Sequence, residues 1–220
     1  MIKLFVPLFI LSLSVNVNAN NVTNLASNGV QKWNHKVFVG STDYSVIKHK
    51  GKLALKAVSK GTSSGLFLKK KIDLQKTPIL NWNWLVEQSM PELNERSKAG
   101  DDFVARVYLV IDGGLAKWKS KSVNYVWSGS QSKGQVWDNP YLGNKVKMVA
   151  LRGKDDKTGQ WLNEKRNVYQ DLIKHFGDKG SPKANLKAYR YVHAVAIMTD
   201  ADNSKSNVEA YYGDVIFSSK

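Results

Sequence analysis

A pair of carboxylates precedes the longest alternating apolar run in the chain. Asp101 and Asp102 lead into it, and Asp102 and Arg106 fall on its polar face. Four residues of extended strand span about 13 Å at 3.3 Å per residue, so these two side chains cannot pair with each other. The spacing predicts either that both bind a ligand or that the carboxylates cap a turn and Arg106 pairs with a neighbouring strand.

A second group of oxygen-bearing side chains follows a later apolar stretch. Asp200, Asp202 and Asn203 resemble the oxygen-rich start of a calcium loop. The helix–loop–helix calcium motif is not satisfied, because Lys205 stands at its glycine position. An Asx-type turn explains the same residues, and the alternative is a sandwich-type calcium or ligand loop. We predict no other cofactor, and Asp214 is the further carboxylate that would complete a metal site with Asp200 and Asp202.

Aromatic and amide side chains are concentrated between residues 124 and 141. Trp127 shares a predicted strand with Asn124, whereas Trp137 and Tyr141 lie in a stretch rich in Gly, Ser and Asn. Flat rings beside Asn and Asp suit stacking on sugars, which are apolar on their faces and hydroxylated at their edges. We therefore predict that Asn124, Trp127 and Trp137 bind the ligand, with packing at the ends of the fold as the alternative.

One segment has helical periodicity. Apolar residues recur at helical spacing near 160–177, and Gly177 stands where a helix C-cap belongs. The polar side of this amphipathic helix holds Arg166, Asn167 and Asp171. These three are further candidate ligand-binding residues, and the alternative is a solvated face with local ion pairs.

Short β-rich stretches bounded by Gly, Asn, Asp or Ser account for most of the remaining chain. They predict a mainly β protein, an antiparallel jelly-roll-like β-sandwich forming a single domain over 20–220. Trp82 and Trp84 lie on an unbroken apolar face and are predicted to be core. The predicted strands are 53–58, 65–72, 79–86, 103–111, 123–127, 147–151, 191–199 and 209–217.

The first 19 residues have the pattern of a secretory signal peptide. Lys3 precedes an apolar run over 4–13, and Val17 and Ala19 occupy the −3 and −1 positions of a cleavage site. The run is shorter than the roughly 20 residues that span a bilayer, so we predict no membrane span in the mature chain. Cleavage after Ala19 would give an exported protein, periplasmic or extracellular.

The charge balance limits the partners. The formal net charge is +15, carried by 28 Lys and only five Arg. Lysine is a hydrated point charge that lacks the planar fork with which arginine recognises guanine edges, so specific nucleic-acid binding is not predicted. Scattered lysines suit a solvated surface or association with anionic envelope polymers. The absence of cysteine excludes disulfides, thiolate zinc sites and cysteine nucleophiles.

Seven motifs stand in a specific order along the chain. They are Leu80-x-Trp-x-Trp84, Lys98-Ala-Gly-Asp-Asp-Phe-x-Ala-Arg-Val-Tyr108, Asn124-Tyr-Val-Trp127, Arg166-Asn-Val-Tyr-x-Asp171, Phe176-Gly177, Met198-Thr-Asp-x-Asp-Asn203 and Tyr211-Tyr-Gly-Asp214. In this order they resemble the secreted bacterial family known as domain of unknown function 3047, from about Trp33 to Phe217. The resemblance implies an exported single-domain protein and brings no established activity. The last strand is also similar to that of galactose-binding-like jelly rolls, a group that contains many carbohydrate-binding modules.

Three functions are compatible with this sequence. The first is a non-catalytic envelope protein that binds a glycan or a small hydroxylated ligand. The second is a hydrolase or lyase acting on an envelope polysaccharide, with two of the clustered aspartates as acid and base. The third is a basic protein held to anionic envelope polymers. Whether the protein is an enzyme stays open at this stage.

Overall fold

The computed structural model describes residues 19–114 and 119–220, so most of the predicted signal peptide lies outside the described residues.

Two sheets form a β-sandwich, which confirms the predicted fold class. The first sheet has the order β1 (Ala19–Asn21), β14 (Ile216–Ser218), β6 (Ile79–Val86), β13 (Asn207–Tyr212), β4 (Lys52–Lys60) and β3 (Asp43–His49), with β11 (Leu162–Asn167) also paired to β6. The second sheet has the order β2 (Asn34–Val39), β5 (Ser63–Asp73), β12 (Tyr191–Asp200), β7 (Ala105–Ile111), β8 (Lys121–Trp127), β10 (Gly143–Arg152) and β9 (Val136–Asn139).

Strand pairing is antiparallel with one exception among the described residues. β8 and β10 run parallel, because the chain passes through β9 before it returns beside β8. The centre of the second sheet is therefore β12, β7, β8 and β10, and two short or exposed strands, β2 and β9, form its edges.

Aromatic side chains from both sheets fill the core between them. Trp82 and Trp84 of β6 are 3% and 0% exposed, which confirms their assignment to the core. Trp82 stacks on Tyr125 of β8 at 5.5 Å between ring centroids, and Trp84 lies 6.0 Å from Trp127. Large rings meeting across the sandwich fix β8 with its odd-numbered residues inward.

Alternation along β7 and β8 turns the remaining side chains to the outer face of the second sheet. Val107 and Leu109 are completely buried in the core, whereas Arg106 and Tyr108 lie on the opposite side of the same strand. Tyr108 is paired with Asn124, which places that amide on the same outer face. This face positions the candidate site.

The helical segment differs from the prediction. Residues 162–167 form β11, paired along its length with β6, and the helix α1 occupies only Val168–Phe176. Pairing with β6 supplies hydrogen-bond partners for the backbone of residues 162–167, so this part of the segment is a strand. The Asn167 side chain then caps α1 by accepting a hydrogen bond from the amide of Gln170 at 3.1 Å.

A second helix, α2 (Pro182–Tyr189), was missed in the sequence, although Ser181 followed by proline is a helix-start signal. Neither helix, nor any other in the described part of the chain, is long and apolar enough to cross a bilayer.

The predicted strand over 209–217 is in fact two strands. β13 and β14 are separated at Gly213, whose amide bonds the Asn83 carbonyl at 2.8 Å. A Cβ at Gly213 would lie 2.2 Å from the Asn83 side chain, so this close approach requires glycine. β1, β2, β3, β9 and β11 are additional strands that the sequence patterns did not predict.

Candidate ligand-binding cleft

An open cleft of about 620 Å³ lies on the outer face of the second sheet. Its floor comes from β7 and β8, through Arg106, Tyr108 and Asn124. The end of β12 and the loop after it supply one wall, and the connection from β9 to β10 supplies another. The other polar lining groups include Ser63, Asp101, Asn139, Asp200, Asp202 and Asn203. The two predicted acidic groups therefore converge on one cleft with Asn124.

A buried ion pair closes one end of the floor. Arg106 and Asp200 are 3% and 1% exposed. The Arg106 Nε donates to Asp200 Oδ1 at 3.0 Å, and its Nη2 donates to Oδ2. The amide of Phe103 also donates to Asp200 Oδ1, at 3.2 Å. Arg106 thus pairs with the neighbouring strand β12, the second of the two alternatives derived from its spacing to Asp102.

Asp101 connects this ion pair to the β9–β10 connection. Its Oδ2 lies 3.7 Å from Arg106 Nη1, and the Asn139 amide donates to both of its carboxylate oxygens at 3.4 and 3.2 Å. The Asn139 Oδ1 in turn accepts from the amides of Tyr141 and Leu142. Burial raises the pKa of Asp101, and the nearby Arg106 guanidinium opposes that rise.

Asp102 caps the loop that follows β12. It is completely buried, and it accepts from the amide and side chain of Asn203 at 3.2 and 3.1 Å and from the Ser204 amide at 2.7 Å. Asp102 therefore shapes the rim on which Asp202 and Asn203 lie, and its own oxygens are used by the protein.

Two exposed rings stand at the rim of the cleft. Phe38 of the edge strand β2 is 61% exposed, and Tyr141 in the β9–β10 connection is 56% exposed. The Tyr141 hydroxyl donates to the Lys98 carbonyl at 3.1 Å, which holds the ring in place. Phe38 was missed in the sequence, where the only signal is three consecutive apolar residues, 37–39, ahead of Gly40. Asn139 was missed as well.

Both tryptophans predicted to stack on a ligand lie elsewhere. Trp127 is 0% exposed and packs between the sheets, so it offers no ring to the cleft. Trp137 is 5% exposed, packs 6.1 Å from Phe103, and donates its indole N–H to the Glu95 carbonyl. The physical reason is that each ring is large enough to fill a core position, which contributes more stability than exposure to solvent would.

The residues predicted on the helix face also lie outside the cleft. Asp171 accepts from the Arg166 guanidinium and from the Tyr125 hydroxyl, the latter at 2.6 Å. Asn167 caps α1, as described above. Arg166, Asn167 and Asp171 therefore hold α1 against β11 and β8 and are not among the residues that line the cleft.

The aspartates near β12 do not fit a calcium site. One oxygen from each of Asp102, Asp200 and Asp202 lies within 4.8 Å of the other two. The Arg106 guanidinium already neutralises Asp200, and the oxygens of Asp102 accept loop amides. Calcium takes six to eight oxygen ligands, and here a guanidinium occupies the position beside the carboxylate.

Asp214, predicted as a third metal ligand, does not belong to this group of aspartates. Its carboxylate accepts from the Thr23 hydroxyl at 2.8 Å and from the Leu25 amide at 2.9 Å, next to β1 and β14 in the first sheet. The predicted set of Asp200, Asp202 and Asp214 is therefore not assembled, because Asp214 secures the N-terminal segment instead.

The fold is similar to those of known sugar-binding and sugar-cleaving proteins. Endoglucanase cel12A from Rhodothermus marinus shares 8% identity at a TM-score of 0.46, with 91% of this chain and 95% of that chain covered. The xyloglucanase domain of NopAA, a type three effector from Sinorhizobium fredii in complex with cellobiose, shares 11% sequence identity at a TM-score of 0.45, with 84% of this chain and 92% of that chain covered. A family 29 carbohydrate-binding module variant complexed with cellulohexaose shares 8% sequence identity at a TM-score of 0.41, with 94% of each chain covered. At these values the likenesses carry no argument about ligand or activity.

The sequence identifies the family. No curated protein matches the sequence of this chain. Residues 31–216 match the family described as protein of unknown function (DUF3047), and the chain belongs to that family. The resemblance stated from the motifs is confirmed, and the family description assigns no activity.

Proposed function

We propose that the protein binds a carbohydrate chain in the cleft on the outer face of the second sheet. The observation that carries the proposal is the pair of exposed rings, Phe38 and Tyr141, which come from opposite edges of one sheet and line the same cleft. Exposed rings facing a cleft supply flat apolar surface to the faces of sugar rings.

The cleft lining between the rings supplies the polar half of such a site. Asn124, Asn139 and Asp101 present amide and carboxylate groups among apolar side chains such as Val110 and Met198. Sugars present apolar faces and hydroxyl edges, and a mainly apolar pocket with a few fixed polar groups suits both. The hydrogen bonds from Asn139 to Asp101 hold these polar groups in place before a ligand binds.

Substitution of the rim rings tests the proposal. The variants Tyr141→Ala and Phe38→Ala should each weaken glycan binding about tenfold, because each removes a stacking surface worth about 1.4 kcal/mol. Tyr141→Phe should bind close to wild type, since it keeps the ring. The measurement is a glycan array followed by calorimetric titration of the best oligosaccharide.

Leu53→Ala is the matched control, because Leu53 is an exposed apolar residue, 42% exposed, on β4 of the other sheet. It should bind as wild type does. The proposal is wrong if the wild-type protein binds no glycan, or if both ring variants bind as tightly as the Leu53 control.

A second candidate function is cleavage of the bound glycan. Asp101 lines the cleft, and burial raises its pKa above the ordinary value, which is the direction that general acid catalysis requires. Asp202 is the carboxylate that could act with it, since Asp200 is held by Arg106. Chromatography of the glycans after incubation decides between the two: products that are lost in Asp101→Asn favour the enzyme, and unchanged glycans favour simple binding.

We propose in addition that the protein is exported. The support is the sequence pattern of residues 1–19, with its basic start, apolar run and small residues before Ala19. A periplasmic or extracellular location would place the cleft among the polysaccharides of the envelope.

A further inference from the structure

Two hydrogen-bond donors in the floor of the cleft have sulfur atoms as their acceptors. The Tyr108 hydroxyl donates to Met198 Sδ at 3.3 Å, and the Asn124 side-chain amide donates to Met148 Sδ at 3.4 Å. Within residues 19–114 and 119–220, neither group donates to an oxygen or nitrogen atom. A thioether is a weak acceptor, whereas buried polar groups normally pair with stronger ones. Both donors are therefore available to a ligand that brings a stronger acceptor.

Tyr108 and Asn124 serve the same part of the cleft. They are directly opposite each other in the β7–β8 pairing, and both line the cleft. Side chains in such a pair have Cβ atoms about 5 Å apart. Asn124 is 2% exposed, and a donor left without a good acceptor is costly at a buried position. Burial raises the pKa of Tyr108 to about 12, so its hydroxyl keeps its proton and remains a donor.

The charges in the cleft favour an uncharged acceptor. A carboxylate or sulfate on a ligand would be repelled by the carboxylates that line the cleft. Lys121 does not offset this repulsion, because its ammonium lies 5.0 Å from the centre of the Phe176 ring, and Phe176 does not line the cleft. An anionic acceptor is therefore unfavourable beside the two donors. The charged residues of the lining near Arg106 are Asp101, Asp200 and Asp202.

The surroundings of the two donors favour a carbonyl oxygen over a hydroxyl group. A hydroxyl group brings a hydrogen that needs an acceptor of its own, and Asn124 Oδ1 already accepts from the Ser122 hydroxyl at 2.7 Å. A carbonyl oxygen only accepts. Val110, Val146 and Met198 are apolar residues of the same lining, so they suit a methyl group attached to that carbonyl. An acetyl group has both parts.

We infer that the glycan bound in the cleft is acetylated, and that its acetyl carbonyl accepts hydrogen bonds at the Tyr108–Asn124 pair. This inference rests on the proposed glycan-binding function and names the class of glycan. An N-acetylated amino sugar and an O-acetylated sugar carry the same acetyl group, the first as an amide and the second as an ester.

Matched forms of one oligosaccharide test the inference. The glycan array identifies the backbone that binds best, and that oligosaccharide is prepared with a hydroxyl, an acetamido, an O-acetyl or an amino group on the same carbon. For a cellulose backbone, cellotetraose and chitotetraose are the hydroxyl and acetamido forms. In calorimetric titration one of the acetylated forms should bind about tenfold more tightly than the hydroxyl form, which corresponds to about 1.4 kcal/mol and is within the net contribution of a hydrogen bond.

Variants of the two donors test which residues the acetyl group contacts. Tyr108→Phe should lower the ratio of acetylated to hydroxyl affinity from about ten to about two, because it removes the donor and keeps the ring. Asn124→Asp should also lower it, since an oxygen replaces the donating nitrogen while an acceptor for Ser122 remains. The ratio is measured within each variant, so a loss of folded protein cancels.

Tyr169→Phe is the matched control. It removes the same hydroxyl from a partly buried tyrosine of α1, which does not line the cleft. This variant should keep the wild-type ratio of acetylated to hydroxyl affinity.

Equal affinity for the acetylated and hydroxyl forms overturns the inference and leaves the proposed function standing, as does a wild-type ratio in both Tyr108→Phe and Asn124→Asp. Tightest binding of the amino form also overturns it, because the aspartates would then select a cation. Absence of binding to every glycan overturns the proposed function together with the inference. A preference for the acetamido form alone or the O-acetyl form alone supports the inference and identifies the linkage.

Discussion

At the level of single residues, the charged groups with the most distinctive sequence pattern hold the site together. Arg106 uses its guanidinium on Asp200 and Asp101, and Asp102 uses its oxygens on loop amides. The exposed rings of the cleft, Phe38 and Tyr141, have a less distinctive sequence pattern. Buried charges must be paired within the protein, so these charged groups stabilise the fold while the rings remain exposed in the cleft.

Removal of the Arg106 guanidinium should destabilise the fold. Arg106→Met leaves Asp200 buried without its cation, and we expect a loss of about 3–5 kcal/mol in the free energy of unfolding. In a chain that already carries Asp200→Asn, the same substitution should cost less, because the carboxylate left without the guanidinium is then only Asp101, to which Asn139 also donates. Urea unfolding followed by tryptophan fluorescence measures all four proteins of this cycle.

The partly exposed ion pair of Arg190 with Asp73 supplies the comparison for this cycle. Arg190→Met should cost far less than Arg106→Met, since solvent screens that pair. Equal losses from Arg106→Met with and without Asp200→Asn would show that the two residues are not coupled, contrary to the geometry described above.

At the level of elements, the connection that carries the cleft residue Asp101 is tied to the β8–β9 connection by one buried carboxylate. Glu95, in the β6–β7 connection, is 1% exposed. It accepts from the amides of Gly129 and Ser130 at 2.8 and 3.2 Å and from the Ser128 hydroxyl at 2.5 Å, all in the β8–β9 connection. The Trp137 indole donates to the main-chain carbonyl of Glu95, so β9, the strand that leads to Tyr141, is bonded to the same residue.

This arrangement predicts a pH dependence of stability. Burial raises the pKa of Glu95 from 4.5 to about 6, although the hydrogen bonds from Ser128, Gly129 and Ser130 oppose the rise. Between these values the folded protein binds more protons than the unfolded chain, so its stability falls as the pH rises from 4.5 to 6. The contribution is about 2 kcal/mol, present in full below pH 4.5 and lost above pH 6.

Comparison with Glu95→Gln isolates this contribution, because other carboxyl groups titrate in the same range. The free energy of unfolding of wild type should fall relative to that of Glu95→Gln across pH 4.5 to 6. Glu92→Gln, at an exposed position in the same connection, should follow the wild-type curve. Parallel curves for wild type and Glu95→Gln would contradict the prediction.

At the level of the whole molecule, the surface is basic and the cleft is not. The chain carries 33 Lys and Arg against 18 Asp and Glu, but three aspartates line the cleft around Arg106. A net positive charge acts over long distances on anionic partners in general, whereas the cleft presents carboxylates and exposed rings at short range.

The export proposal is tested on the whole chain. We expect the protein recovered from the envelope fraction to begin at Asn20, as measured by mass spectrometry, and to keep the β1 pairs from Asn20 to Phe217 and from Asn21 to Ile216. Ala19→Glu should block cleavage, because position −1 requires a small residue, whereas Ala26→Glu should not. An intact N-terminus in the cytoplasmic fraction would contradict the proposal.

The sequence predictions are accurate where neighbouring residues determine the structure and wrong where contacts distant in sequence determine it. β6 was predicted with its observed bounds, since alternating Leu80, Trp82 and Trp84 specify a strand locally. β2 and β11 were not predicted, because neither has the alternating apolar residues of a strand. Each is a strand only through its pairing with a neighbour, β2 with β5 and β11 with β6. Trp127 and Trp137 were assigned to the ligand, and only the packing of the two sheets shows that Trp127 faces inward.

The sequence by itself determined the fold class and the family and placed acidic motifs near two strand ends, because periodicity and motif order are local properties of the chain. The tertiary structure decided that these motifs meet in one cleft and which side chains remain exposed there. Pairing of β7 with β12 places Arg106 against Asp200, and the opposite edges of the sheet supply Phe38 and Tyr141. These residues are 94 and 103 positions apart, and only the packed sheet brings them together.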